Sequence, residues 1–101
     1  HMRLWALSRQ PPARDPARIG AWAVFLEDSA AVNRQIARDR MLRDADSSWA
    51  RLRKHMPHDP SPALRREWWL LAASATDKAG RAWLRREAKR MSPEDRRILV
   101  R

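Results

Sequence analysis

The chain has 101 residues and a formal net charge of +10, from 22 Lys and Arg against 12 Asp and Glu. This length favours a single domain, and the lack of cysteine excludes disulfides, thiolate catalysis and cysteine-based zinc sites. The longest apolar run, 68–73, is far below the roughly 20 residues that span a bilayer, and no signal peptide is recognisable, so we expect a cytoplasmic protein without membrane contact.

Composition predicts an all-α fold, because glycine and β-branched residues are few while helix-favouring Ala, Leu and Arg are abundant. Residues 1–14 are predicted to form an irregular N-terminal arm, since Pro11-Pro12 follows its apolar residues. His1, typical of a cleavage scar, is left out of the functional interpretation. The remaining pattern predicts one helical domain over 1–101, a compact bundle of four to five helices.

Three helix starts are predicted where a capping residue directly precedes a proline. The acceptor side chain caps the helix and the proline presets the backbone angle of its first turn. The three pairs are Asp15-Pro16, Ser61-Pro62 and Ser92-Pro93.

Between these starts the helix boundaries stay open. The helix from Pro16 either breaks at Asp28-Ser29 or continues beyond it. A long helix over about 29–56 fits the 3 and 4 spacing of its apolar residues, with 46–48 as a candidate interruption. The proline-rich loop, residues 56–60, ends it. A further helix is predicted to start near 76 or 77, although Gly80 could instead close the helix before it.

Tryptophan dominates the aromatic content, with six Trp against one Phe and no Tyr. Trp22, Trp49 and Trp83 each belong to an apolar stripe at helical spacing and are predicted to lie inside, where replacement by Ala costs about 3 to 5 kcal/mol. Trp68 and Trp69 point about 100° apart on one helix. We therefore predict a buried Trp68 and a partly buried Trp69.

Positive charge is concentrated in the C-terminal half. Residues 1–50 carry 8 basic and 6 acidic side chains, whereas residues 51–101 carry 14 and 6. Within 78–90 the basic residues recur at spacings of 3 and 4 or lie directly beside that row, which is also compatible with a merely solvated helix face. This cationic stripe consists of Lys78, Arg81, Arg85, Arg86, Lys89 and Arg90. Such a strip matches the phosphate spacing of a nucleic-acid backbone and gains affinity through counterion release.

Two functional hypotheses follow. The first is a small basic protein that binds the DNA or RNA backbone without strong sequence specificity, alone or within a nucleoprotein complex, with Arg65 and Arg66 extending the cationic stripe. The second is an adaptor or inhibitor, of the kind encoded by phages and mobile elements, that docks on an acidic protein surface. Here Trp69 is the predicted partner anchor, because Trp and Arg are favoured at interface hot spots.

Neither catalysis nor a cofactor is predicted, because general acids and bases are few and no glycine-rich phosphate loop or serine elbow is present. His55, His58 and Asp59 lie close together in the sequence, but Pro57 destroys helical spacing, so we expect no metal site. A helix-turn-helix is also excluded. Placing Gly80 at its turn would put basic residues where that motif needs an apolar core.

Overall fold

A computed structural model of the chain describes residues 16–75 and 77–100. Within these residues six α-helices and no strands are present, which confirms the all-α class but exceeds the predicted four to five helices. They are α1 (Pro16–Ala23), α2 (Ala31–Asp44), α3 (Trp49–Arg53), α4 (Pro62–Ser74), α5 (Lys78–Glu87) and α6 (Pro93–Leu99). Short 3-10 turns, Val24–Glu27 and Ala88–Arg90, follow α1 and α5. The predicted N-terminal arm, 1–14, lies outside the described residues.

The pairs of a capping residue and a proline predict these helix starts correctly. Helices begin at Pro16, Pro62 and Pro93. The Ser61 hydroxyl accepts the N–H of Leu64 at 3.3 Å, and the Ser92 hydroxyl accepts that of Asp95 at 3.1 Å. Each serine thus satisfies a backbone donor that the helix itself leaves free. The third predicted cap, Asp15, lies outside the described residues.

The predicted long helix over 29–56 is interrupted, at the position given as its candidate break. α2 ends at Asp44, and Asp46 and Ser47 adopt positive φ angles of 54° and 57° before α3 begins. Two successive left-handed residues cannot continue a right-handed helix, so the chain turns. An earlier break occurs at Asp28, whose Oδ1 accepts the N–H of Ala30 at 2.8 Å. These breaks raise the helix count.

Tryptophans form the centre of the core. Trp22, Trp49 and Trp83 are buried, as predicted, and Trp68 is fully buried. The Trp49 ring contacts that of Trp83 at a centroid distance of 4.6 Å and that of Trp68 at 6.3 Å. Because these rings belong to α3, α5 and α4, one aromatic cluster joins three helices. Rings of this size supply much of the apolar burial that a short chain needs.

Gly80 allows α5 to approach the end of α4. A Cβ at this position would lie 2.9 Å from the backbone carbonyl oxygen of Ala72 and 3.4 Å from the Cβ of Ala75. The first distance is below what real Cβ contacts show, so any side chain would force the helices apart. Gly80 lies in the first turn of α5, whose N-cap is Asp77. The predicted helix start near 76 or 77 is therefore confirmed, and the alternative, that Gly80 closes the preceding helix, is wrong.

Candidate nucleic-acid interface

The orientation of α5 is set by its buried side. Trp83 and Leu84 face the core, while Gly80 contacts the end of α4. These three residues occupy one side of the helix at 3 and 4 spacing. Packing on this side turns the opposite side of α5 to solvent.

Asp77 fixes the start of α5 and ties it to α3. Its Oδ1 accepts the N–H of Gly80 at 3.2 Å and thereby caps α5. Its Oδ2 accepts the N–H of Trp49, the first residue of α3, at 3.0 Å. One carboxylate therefore satisfies backbone donors at the N-termini of two helices, a position where negative charge is also favoured by the helix dipole.

All six residues of the cationic stripe are exposed. Four of them, Lys78, Arg81, Arg85 and Arg86, project from α5, and the last two lie on the 3-10 turn that follows. Consecutive members of the main row are three or four residues apart, which corresponds to about 4.5 to 6 Å along the helix axis. The structure thus keeps the predicted cations together on the solvent side of α5 and of the 3-10 turn that follows it.

The two acids nearest to this row in the sequence accept hydrogen bonds from other groups. Asp77 caps α5 and accepts the Trp49 N–H, and Glu87 accepts a hydrogen bond from the Trp69 Nε1–H at 3.2 Å. Glu87 also lies 3.9 Å from the guanidinium groups of Arg65 and Arg90. Among the described residues, the other five members of the cationic stripe make no ion pair with an acid. Their charge is therefore available to a polyanion.

Arg65 and Arg66, predicted to extend the stripe, have partners within the chain. The Arg65 side chain is only 18% exposed and lies between Asp59, at 3.5 Å, and Glu87. Arg66 pairs with Asp95 at 3.4 Å, which links α4 to α6. Both arginines thus have an acidic partner within the chain, unlike five of the six members of the cationic stripe. The Arg66 side chain is nevertheless 53% exposed, and the contribution of both residues to nucleic-acid binding stays a prediction.

Trp69 is more buried than the sequence predicted. Only 6% of the residue is exposed, and its single polar atom already donates to Glu87. The ring borders an open groove between the proline-rich loop and α6, but little of its surface reaches solvent. This burial counts against its predicted use as a partner anchor, because an anchor must offer its ring to the partner.

Sequence reasoning missed two buried acids that bind arginines of other helices. Glu67 on α4 forms a hydrogen-bonded ion pair with Arg38 and lies 3.7 Å from Arg34, both on α2. The Asp44 carboxylate lies 3.9 Å from the Arg18 guanidinium. The only sequence feature pointing to the first cluster is the i, i+4 spacing of the two arginines on α2. These arginines hold the fold together and do not add to the cationic stripe.

The histidines near the proline-rich loop are not gathered into a site. The His55 ring packs against α1, where its Nδ1 would lie 3.3 Å from a Cβ on Gly20. Asp59 pairs with Arg65, and His58 is exposed. Within 16–75 and 77–100, no cluster of three metal-ligating side chains is present. Nor does any helix of this part of the chain have the length and apolar character needed to cross a membrane.

Comparison with known proteins identifies no relative. The chain matches no protein-family model, no curated protein sequence and no solved structure.

Proposed function

We propose that the protein binds the phosphate backbone of nucleic acid through the cationic stripe of α5, without strong sequence specificity. It acts as a binding protein and not as an enzyme. The observation that carries this proposal is the separation of charges on α5. Five exposed cations lie together without an acidic partner among the described residues, while Asp77 and Glu87 are held in structural hydrogen bonds.

The physical basis is counterion release. Each cation that neutralises a phosphate releases a condensed counterion, so affinity falls steeply with salt, with a logarithmic slope of about −0.9 per contact on a B-DNA duplex. Contacts of this kind read phosphate positions and not base edges, which is why we expect little sequence preference. Most of the stripe sits on a helix fixed by its core contacts and by its cap, so the backbone that carries these cations needs no ordering on binding, and the ordering cost is confined to their side chains.

The test is a titration of the protein with unrelated oligonucleotides at several salt concentrations. Arg85→Ala should lower the salt slope by about 1, and Arg85→Ala with Lys89→Ala by about 1 to 2, with equal weakening for all sequences. Arg43→Ala is the matched control, because it removes an exposed cation from the last turn of α2, outside the cationic stripe. An unchanged slope in the α5 variants would place the binding surface elsewhere. If no oligonucleotide binds more tightly than about 10 μM at about 150 mM salt, the proposed function is wrong.

Docking on an acidic protein surface is the second candidate, and one observation favours it. A groove of about 320 Å³ between the end of α4, α5 and α6 is lined by apolar side chains beside Arg81, and Ile98 at its edge is 57% exposed. An apolar side chain flanked by an acid would fit such a groove. Against it stands the burial of Trp69, its predicted anchor. Ile98→Ala, at an exposed position of this groove, should leave nucleic-acid affinity within about threefold if the backbone is bound, whereas an adaptor that uses the groove should lose about 2 kcal/mol toward its partner.

A further inference from the structure

The exposure of aromatic side chains bears on whether a protein binds single-stranded or duplex nucleic acid. Proteins that bind single strands stack the exposed bases on aromatic rings, and each stacked base contributes about 1 to 3 kcal/mol. In the part of the chain that the structure describes, every tryptophan is buried. These residues are Trp22, Trp49, Trp68, Trp69 and Trp83. Phe25 is half-buried, with its ring 6.1 Å from that of Trp22.

The aromatic residue of α5 itself points away from the cationic stripe. Trp83 lies on the core side of the helix, with its ring against that of Trp49. Within 16–75 and 77–100, no tryptophan or phenylalanine ring therefore lies exposed beside the charge on the solvent side of α5. A base that approaches this side meets guanidinium and ammonium groups and the short side chain of Ala82.

Charge density then decides between the two kinds of nucleic acid. The row from Lys78 to Arg85 covers about 10 Å along the axis of α5. Over that length a duplex presents one phosphate charge per about 1.7 Å of its axis, and one of its strands alone presents one per about 3.4 Å. Over the length of this row, a duplex thus presents about twice the phosphate charge of one of its strands. The counterion-release slope per contact is also larger, at about 0.9 against about 0.7.

We infer that the cationic stripe of α5 selects duplex over single-stranded nucleic acid. This inference rests on the proposed function and specifies its substrate class. The duplex can be DNA or RNA, because the chemistry that is recognised is the doubled row of phosphates.

The experiment compares duplexes with single strands of the same length. Fluorescence anisotropy measures the affinity of four labelled probes at each salt concentration. The probes are a DNA duplex of about 20 base pairs, an RNA duplex of the same sequence, and oligo-dT and oligo-U of about 20 nucleotides. We expect at least one duplex to bind about tenfold or more tightly than both single strands. In the Arg85→Ala with Lys89→Ala variant, this preference should fall below about threefold, because it originates from charge on α5.

The outcomes separate the inference from the proposed function. Single strands that bind as tightly as the duplexes, with α5 variants still weakening both, would overturn the duplex selection and leave backbone binding intact. Binding of none of the four oligonucleotides would overturn both. A duplex preference that persists unchanged in the α5 variant but falls in Arg43→Ala would also overturn the inference, because the selecting surface would then lie on α2.

Discussion

Replacement of Asp77 by Ala tests the hydrogen bonds that connect α3 with the start of α5, the helix that carries most of the cationic stripe. The variant removes the acceptor for Gly80 N–H, 3.2 Å away, and the acceptor for Trp49 N–H, 3.0 Å away. Loss of a helix cap costs about 1 kcal/mol, and loss of a hydrogen bond to a charged acceptor costs about 1.5 to 3 kcal/mol when buried. Asp77 is only partly buried, so the second loss falls at the lower end of its range. We expect the free energy of unfolding to fall by about 2 to 3 kcal/mol.

Two control variants divide this loss into its parts. Ser92→Ala removes a cap that serves one helix only, and should cost about 1 kcal/mol. Asp77→Asn keeps one side-chain acceptor, which can still cap α5, but its amide nitrogen cannot accept the Trp49 N–H. Its cost should therefore lie between those of the two Ala variants.

Urea unfolding followed by far-ultraviolet circular dichroism and by tryptophan fluorescence measures these differences. In thermal unfolding, each kcal/mol should lower the Tm by about 4 to 8 °C for a chain of this size. If Asp77→Ala destabilises the protein no more than Ser92→Ala does, the carboxylate does not serve both helices. The coupling of α3 to α5 would then have to come from the tryptophan contact alone.

Three further outcomes are expected from stability measurements on single variants. Gly80→Ala should destabilise by about 1 to 3 kcal/mol, because its Cβ would meet a rigid backbone carbonyl at 2.9 Å. Gly20→Ala is the matched control, because its Cβ would meet only the side chain of His55, at 3.3 Å. Its free energy of unfolding should stay within about 1 kcal/mol of wild type, and equal losses in the two variants would contradict the close approach at Gly80. Trp49→Ala should cost about 3 to 5 kcal/mol, and near-wild-type melting would show that the aromatic cluster is not central to the fold. Glu67→Ala should cost about 2 to 4 kcal/mol by leaving two arginines without their buried acid, and a loss below about 1 kcal/mol would show that the cluster contributes little.

What the sequence alone determined about this protein is its local structure. Helix class, the starts at Pro62 and Pro93, the burial of Trp49, and the grouping of cations over 78–90 all follow from patterns within a few residues. Helix periodicity and capping are short-range effects, so a few neighbouring residues suffice to predict them. Even the break after Asp44 was visible as a candidate, because Asp and Ser tolerate turns.

Only the tertiary structure decided which charged and polar side chains pair with one another within the molecule. Arg38 meets Glu67 across 29 positions of the chain, and Asp77 meets Trp49 across 28. Arg65, which the sequence could not distinguish from the exposed cations of α5, lies between two acids. Partners so far apart are brought together by packing of helices, and neither residue type nor local spacing specifies which of the 22 cations finds an acid. The fold also contributes to the free charge of α5, because Asp77 and Glu87 each accept a hydrogen bond from a tryptophan on another helix.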